Sequence, residues 1–283
     1  MLAEVLTQLA LVISILVPVS VVVFIGRERL ARTRSEWRSR LRTAAPVIAV
    51  LLCVLLINRV ARQTAPELSR QIGFHLSGAF YDLEGELILI FQSIQTPETT
   101  AYFSAIYVYG YTFLLIFPVI AYFTLSDTRI FRRLLTAYAL NYSIGLLLYI
   151  FVIAYGPRNM MPAEFAGRML YETNPQYQWL TSEVNASTNV FPSLHTSMSA
   201  TVAAFAWKTR SEFPKWHLIA VVLAVSVAIS TMYLGIHWGI DVAAGTMLAA
   251  ACVDLSDRLV DRWSVAELSE QFADRLPWPQ KQE

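Results

Sequence analysis

Charged residues are scarce in this sequence. Asp, Glu, Lys and Arg make up 15% of its 283 residues, hydrophobic residues make up 55%, and the mean hydropathy is +0.47. An average soluble domain is about a quarter charged. The deficit excludes a disordered chain and argues against an ordinary soluble globular protein.

The stretches without charge are long. Five segments of 22 to 28 residues contain no Asp, Glu, Lys or Arg, and they cover 5–26, 99–126, 134–157, 184–207 and 216–240. A helix needs about 20 apolar residues to cross a bilayer. The sequence therefore predicts a polytopic membrane protein.

Cysteine is also rare, and no phosphate-binding glycine loop is present. Cys53 and Cys252 both lie in apolar segments, which predicts buried thiols and neither a disulfide nor a metal site. Glu4 is the only charged residue before the first apolar segment, and arginines follow that segment directly. This order predicts a retained transmembrane helix with a cytoplasmic basic flank, because a cleaved signal peptide begins with basic residues.

We predict an all-α membrane bundle with seven spans, at 5–25, 44–60, 101–125, 134–155, 193–208, 217–235 and 237–253. The chain then divides into an N-terminal helix with a basic loop (1–43), a membrane domain (44–253) and a tail (254–283). The spacing of apolar residues in the tail predicts an amphipathic helix on the cytoplasmic surface. The apolar stretch 87–94 is too short to span and is expected to be interfacial or re-entrant.

Basic residues alternate between the two sides of these spans. If the first loop is cytoplasmic, 17 of the 22 Lys and Arg residues fall on the cytoplasmic side. The other side receives only five, which are Arg59, Arg62, Arg70, Arg158 and Arg168. This asymmetry predicts an N-terminus outside and a C-terminus inside.

Three polar motifs fall on the predicted outside face. They are YGPR at 155–158, FPSLH at 191–195, and the segment 230–241 between the last two spans. His195 and His237 are 42 residues apart, which is two spans of about 20 residues each. The chain crosses and returns, so both histidines are expected at one membrane face, where Arg158 also lies.

Asp241 follows His237 by four residues. On a helix this places the carboxylate one turn away on the same side, where it can accept a hydrogen bond from one ring nitrogen. The other nitrogen is then a nucleophile or base in a fixed tautomer. Ser193 lies at the start of the fifth span, where a hydroxyl and unpaired N–H groups suit a phosphate.

These residues resemble the type-2 phosphatidic acid phosphatase and vanadium haloperoxidase superfamily, whose motifs are KxxxxxxRP, PSGH and SRxxxxxHxxxD. The resemblance implies a six-helix phosphatase-like domain over 44–253 with one additional N-terminal helix. It also implies roles for five residues. His237 is the expected nucleophile, Asp241 its orienting partner and His195 the general acid, while Ser193 and Arg158 hold the phosphate. No metal or other cofactor is implied, and we expect no nucleic-acid partner.

The sequence departs from the superfamily motifs. Leu194 replaces the glycine of PSGH, Thr231 replaces the arginine of the third motif, and Phe151 occupies the lysine position of the first. Arg62, Arg70 and Arg168 are alternative sources of the missing cations, and Arg158 could instead extend from the membrane boundary to water. FPSLH with STMYL resembles one branch, the inositol phosphorylceramide synthase-like proteins, which also lack that third-motif arginine.

The resemblance implies an integral membrane enzyme that transfers phosphoryl groups through a phosphohistidine on the extracytoplasmic face, in the cell membrane. The expected substrate is a membrane lipid phosphate or a lipid-linked diphosphate. Water as acceptor gives a phosphatase, whereas inositol or another polyol gives a head-group phosphotransferase. A third hypothesis is a catalytically silent lipid-binding or transport relative, which the missing cations motivate.

Overall fold

The computed structural model describes residues 2–85, 87–91, 93–161 and 189–262. The described chain is almost entirely helical. In order, its elements are α1 (Leu2–Ser20), a π-helical turn (Val21–Ile25), α2 (Arg27–Ile72), β1 (Phe74–His75), α3 (Ser77–Glu84), a 3₁₀ helix (Leu87–Phe91), α4 (Pro97–Ala105), a second π-helical turn (Ile106–Gly110), α5 (Tyr111–Phe123), α6 (Arg129–Phe151), β2 (Val152–Ile153), α7 (Pro157–Met160), α8 (Leu194–Lys208), α9 (Pro214–Tyr233) and α10 (Gly239–Arg262).

Six helical segments of the described chain are long and apolar enough to cross a membrane. They are Ala3–Ile25, Arg27–Ala61, Pro97–Phe123, Arg129–Phe151, Pro214–Tyr233 and Gly239–Val260. The predicted all-α polytopic bundle is therefore confirmed.

The seventh predicted span is also a helix, shorter than these six. The span predicted at 193–208 is α8, which has 15 residues. Its length of about 22 Å is shorter than a hydrocarbon core of about 30 Å. Helix α8 packs against α5, α6, α9 and α10.

The basic segment after the first span is a helix and not the loop that we predicted. Gly26, with a φ of 81°, separates it from the preceding π-helical turn. From Arg27, α2 continues for 46 residues through the predicted span 44–60. Arginine dominates its first part, with seven of the residues 27–43, and favours helix without being apolar. Arg40 is buried there and donates a hydrogen bond of 3.0 Å to the carbonyl of Phe123.

The basic segments lie together at one end of the bundle. Arg29 of α2 forms an ion pair of 2.6 Å with Glu212, in the turn between α8 and α9. Asp257, near the end of α10, contacts both Arg133 of α6 (3.3 Å) and Lys208 of α8. The segments that the sequence analysis assigned to one side are therefore neighbours.

The opposite end carries the loops of chemical interest. There the end of α2 is joined to the end of α6 by a short parallel ladder, in which Phe74 pairs with Val152. The stretch 87–94 begins with the 3₁₀ helix, whose Ile88 is buried. The predicted amphipathic tail starts inside α10, which runs unbroken to Arg262, and the rest of that tail lies outside the described residues.

Candidate active site

The site is centred on the short loop between α9 and α10. His237 lies in this loop and Asp241 in the first turn of α10, and both side chains are buried. The Nδ1 atom of His237 is 3.4 Å from Oδ2 of Asp241, at the long end of hydrogen-bond distances. The same Oδ2 accepts a hydrogen bond of 2.8 Å from the backbone N–H of Trp238. The two side chains thus meet as their four-residue spacing predicts.

The second oxygen of Asp241 has an unusual environment. Oδ1 is buried, and within the described part of the chain it has no hydrogen-bond partner. Burying a carboxylate oxygen without a partner costs free energy. Such groups are concentrated where function requires them, which agrees with the catalytic interpretation of Asp241.

His195 lies beside this pair. Its ring centroid is 6.5 Å from that of His237, with an interplanar angle of 56°. Tyr107 stacks on His195 at 4.5 Å and 24°, and Tyr111 contacts it at 4.4 Å and 44°. The chain therefore crosses and returns as predicted. Our sequence analysis missed the two tyrosines, although the tyrosine-rich segment 107–111 and its π-helical turn, a feature frequent at functional sites, are a weak signal for them.

Ser193 joins α8 to α10. Its hydroxyl oxygen accepts a hydrogen bond of 3.3 Å from the backbone N–H of Thr196, which makes Ser193 the N-cap of α8. Its own N–H donates to the carbonyl of Asp241 at 3.1 Å. Ser193 is fully buried. These contacts give the residue a structural function, and its assignment as a phosphate ligand stays a prediction.

Arg158 lies in α7, next to the loop that carries His237. Its backbone N–H donates to the carbonyl of Gly235 at 3.1 Å. Close by, the indole N–H of Trp238 donates to the carbonyl of Tyr155 at 2.7 Å. The first and third predicted motifs are thus joined by hydrogen bonds. The Arg158 side chain is partly buried, and its function as a phosphate ligand stays a prediction.

Thr231 and Phe151 occupy the two positions that lack the superfamily cations, and their surroundings differ. Thr231 is buried, and its carbonyl accepts a hydrogen bond of 3.1 Å from the N–H of His237. Phe151 is exposed at the end of α6. Among the alternative cations, Arg70 is exposed and pairs with Glu67. The remaining candidates, whose side chains are outside the described set, are Arg62 and Arg168.

A carboxylate that our sequence analysis did not consider also reaches this site. Glu84, the last residue of α3, accepts hydrogen bonds from the backbone N–H groups of Gly239 (2.6 Å) and Ile240. No motif marks Glu84, because its partners are 155 and 156 residues away in the chain. Within the described ranges, no group of three His, Cys, Asp or Glu side chains could hold a metal ion.

The fold and the site together define a polytopic membrane protein with a His–His–Asp cluster at one end of its helices, in which His237 and Asp241 are buried and His195 is partly buried. The family model described as the PAP2 superfamily matches residues 82–255, which is more than half of the chain and contains every candidate site residue. The chain therefore belongs to the PAP2 superfamily. The superfamily predicted from the motifs is confirmed, while the inositol phosphorylceramide synthase-like branch stays a prediction.

One curated relative is similar to about half of the chain. An uncharacterized protein of Methanocaldococcus jannaschii is 29% identical over 147 residues, which cover 52% of this chain and 56% of that protein. The match thus spans about half the length of that relative. No solved structure matches the chain. Because the superfamily generally hydrolyses or transfers phosphate esters, membership supports a membrane enzyme of this kind.

Proposed function

We propose that this protein is an integral membrane lipid-phosphate phosphatase or phosphotransferase that works through a phosphohistidine intermediate. The observation that carries the proposal is the placement of His195 across from the His237–Asp241 pair, with 6.5 Å between the imidazole centroids. For the reaction, the attacking nitrogen must lie about 3 Å from the phosphorus atom, and the proton donor must lie about 3 Å from the leaving oxygen. Two rings at this separation suit a reacting group between them.

In the first step, Nε2 of His237 attacks phosphorus in line with the leaving oxygen. The N–P bond forms while the P–O bond to the leaving group breaks. Asp241 accepts the Nδ1 hydrogen and so leaves Nε2 unprotonated for the attack. His195 donates its proton to the leaving oxygen, and the tyrosines at 107 and 111 hold its ring.

In the second step, the acceptor attacks the phosphohistidine. Neutral His195 removes the acceptor's proton, a P–O bond forms, and the N–P bond breaks to regenerate His237. Arg158 and the N–H groups near Ser193 stabilise the charge on the phosphoryl oxygens. Water as acceptor completes a hydrolysis, whereas a polyol completes a head-group transfer. The position of the site at the end of an apolar helix bundle supports lipid-linked substrates.

We further propose that the site faces the extracytoplasmic side and that the basic end of the bundle is cytoplasmic. The supporting observation is that the basic segments share the end opposite to the site, and short cytoplasmic loops are enriched in Lys and Arg. The test uses single cysteines at exposed Ser93, near the site, and exposed Ser211, at the basic end, in a chain with Cys53 and Cys252 replaced by Ala. An impermeant maleimide should label intact cells only through Ser93→Cys. Labelling through Ser211→Cys instead would reverse the orientation.

The activity test uses purified protein in detergent with a panel of lipid phosphates and diphosphates, with and without inositol. We expect His237→Ala to abolish turnover and to abolish an acid-labile, base-stable phosphoenzyme. The matched control is His217→Ala, because His217 contacts Trp207 at the basic end, at the other end of α9 from the site loop. Free phosphate without an added acceptor identifies a hydrolase, and a new phospholipid that needs inositol identifies a transferase. Retained turnover in His237→Ala would refute the nucleophile assignment, and silence of the wild type across the panel would favour the non-catalytic hypothesis.

A further inference from the structure

We propose that Glu84 is a positioning residue, which fixes the start of α10 and thereby aligns His237 and Asp241 for phosphoryl transfer. The inference rests on the proposed function. Glu84 does not belong to any of the three motifs, and it comes from α3, a short helix between α2 and the 3₁₀ helix. It acts through the backbone of α10 and does not itself contact the reacting atoms.

The carboxylate of Glu84 uses both of its oxygens. Oε2 accepts the N–H of Gly239 at 2.6 Å, and Oε1 accepts the N–H of Ile240. The first N–H groups of a helix have no partner within the helix, and a carboxylate there also interacts favourably with the helix dipole. The preceding N–H, that of Trp238, is bound by Asp241. Three consecutive N–H groups at the start of α10 are therefore held by two carboxylates.

These contacts lie directly beside the catalytic pair. His237 is two residues before Gly239, and Asp241 follows Ile240. A rotation of the first turn of α10 would move both side chains relative to His195. Glu84 thus supplies from outside the helix the restraint that keeps the imidazole and its carboxylate in register.

Helix α3, which carries Glu84, is itself held in place. Phe80 of α3 is buried and packs against Phe191, with ring centroids 5.6 Å apart. Ser77 accepts a hydrogen bond of 2.9 Å from the N–H of Tyr155. The helix that carries Glu84 is therefore attached to the two segments that precede Arg158 and Ser193. Through α3, the three motifs and the start of α10 form one connected unit.

Gly239 leaves room for the close approach of this carboxylate. A Cβ atom built at Gly239 would lie 3.1 and 3.2 Å from the two oxygens of Glu84. These distances are tighter than ordinary van der Waals contacts, so an alanine would displace the carboxylate by a few tenths of an ångström and lengthen its hydrogen bonds. Gly239→Ala should therefore reproduce part of the effect of losing Glu84.

The test compares Glu84→Gln with wild type, with Glu98→Gln as the matched control. Glu98 is another glutamate at a helix start, since it lies in the first turn of α4, but it is exposed. A glutamine offers one acceptor oxygen for two N–H groups, so one of them loses its partner. We expect kcat to fall about 10- to 100-fold, as small misplacements of reacting groups do. KM should change by less than about threefold, because substrate contacts are unaltered.

A double-mutant cycle separates positioning from general destabilisation. Gly239→Ala should lower kcat in the wild-type background, but it should have no further effect in Glu84→Ala, where the carboxylate is absent. Additive losses, or a wild-type kcat in Glu84→Gln, would overturn the proposal. An equal loss of kcat for alkyl and aryl phosphates is expected, because Glu84 acts on the nucleophile and not on the leaving group.

Hydrogen exchange tests the restraint without any turnover. In Glu84→Ala, the amides of Gly239 and Ile240 should exchange faster, while those of α9 remain unchanged. Unchanged exchange at these two amides would overturn the proposal even if the enzyme is active. A wild type that is silent on all substrates would instead refute the proposed function, and the exchange measurement would still decide whether Glu84 holds α10.

Discussion

Asp241→Asn is the most informative single substitution at this site. Both hydrogen bonds to the Asp241 side chain, from His237 Nδ1 and from the N–H of Trp238, are made to the same oxygen, Oδ2. An asparagine can place its amide oxygen at that point and retain both. Its NH₂ group then replaces Oδ1, which has no partner among the described residues. The substitution therefore removes a charge and leaves the hydrogen-bond geometry and the tautomer of His237 unchanged.

The size of the effect follows from the distance between the two groups. In the proposed mechanism His237 is phosphorylated, and its ring then becomes cationic 3.4 Å from the carboxylate oxygen. At an effective dielectric constant of about 20, full charges at this distance interact by about 5 kcal/mol. The amide dipole retains part of this energy, and the charge on the ring is incomplete in the transition state. A loss of about 3 to 4 kcal/mol corresponds to a fall in kcat of about 100- to 1000-fold.

Stability should move in the opposite direction from activity. The substitution removes a buried carboxylate oxygen that lacks a partner, and burying a neutral amide costs less than burying a charge. We therefore expect the Tm of Asp241→Asn in detergent to equal or exceed that of wild type. The matched control is Asp254→Asn, on the same helix but exposed and paired with Arg258.

The assay measures kcat, the phosphoenzyme burst and Tm on the same preparations. A kcat within about threefold of wild type would show that the charge of Asp241 does not stabilise the transition state. A loss of activity that is accompanied by a large fall in Tm would show instead that Asp241 is needed for folding. Either result would refute the reasoning from the contacts of Oδ2.

Two further substitutions probe the surroundings. A Cβ at Gly245 would lie 2.5 Å from the carbonyl of Ser193, so Gly245→Ala should destabilise the protein by about 1–3 kcal/mol in thermal unfolding. Gly78 has open space around it, so Gly78→Ala should be neutral or stabilising. Equal effects of the two substitutions would contradict this packing. In the proposed mechanism alkyl phosphates need a proton from His195 and aryl phosphates do not, so Tyr107→Leu should slow alkyl phosphates about 10-fold more than aryl phosphates. Tyr107→Phe keeps the ring and should show no such difference; equal slowing of both substrates in Tyr107→Leu would refute this function of the ring.

The hydrophobic pattern was sufficient to predict most of the helices. Four of the five long uncharged segments coincide with helices long and apolar enough to cross a membrane, because the bilayer demands length and low polarity. The absence of charge does not predict the extent of two helices. The segment 27–43 is charged yet helical, since Arg, Leu and Glu favour helix in any solvent. Helix α8 begins only at Leu194, well inside the uncharged segment 184–207.

The site was predictable to the extent that its chemistry lies in side chains. The two histidines and Asp241 have characteristic spacing, and the alternation of spans places them at one end. Glu84 and Tyr107 have no such signature, because they meet their partners only after the chain has folded. Their contribution depends on α3 and on a π-helical turn, whose positions are set by tertiary packing.

The restraints on the catalytic groups come largely from the backbone, and this explains which residues the motifs contain. Gly156 approaches the carbonyl of Ile236 so closely that a Cβ would lie 2.4 Å from it, and Gly245 approaches Ser193 in the same manner. The N–H of Ser193 is bound by the carbonyl of Asp241. A contact of this kind is possible only where the residue has no side chain. Glycines at such positions therefore shape the proposed site, although they contribute no chemical group to the proposed reaction.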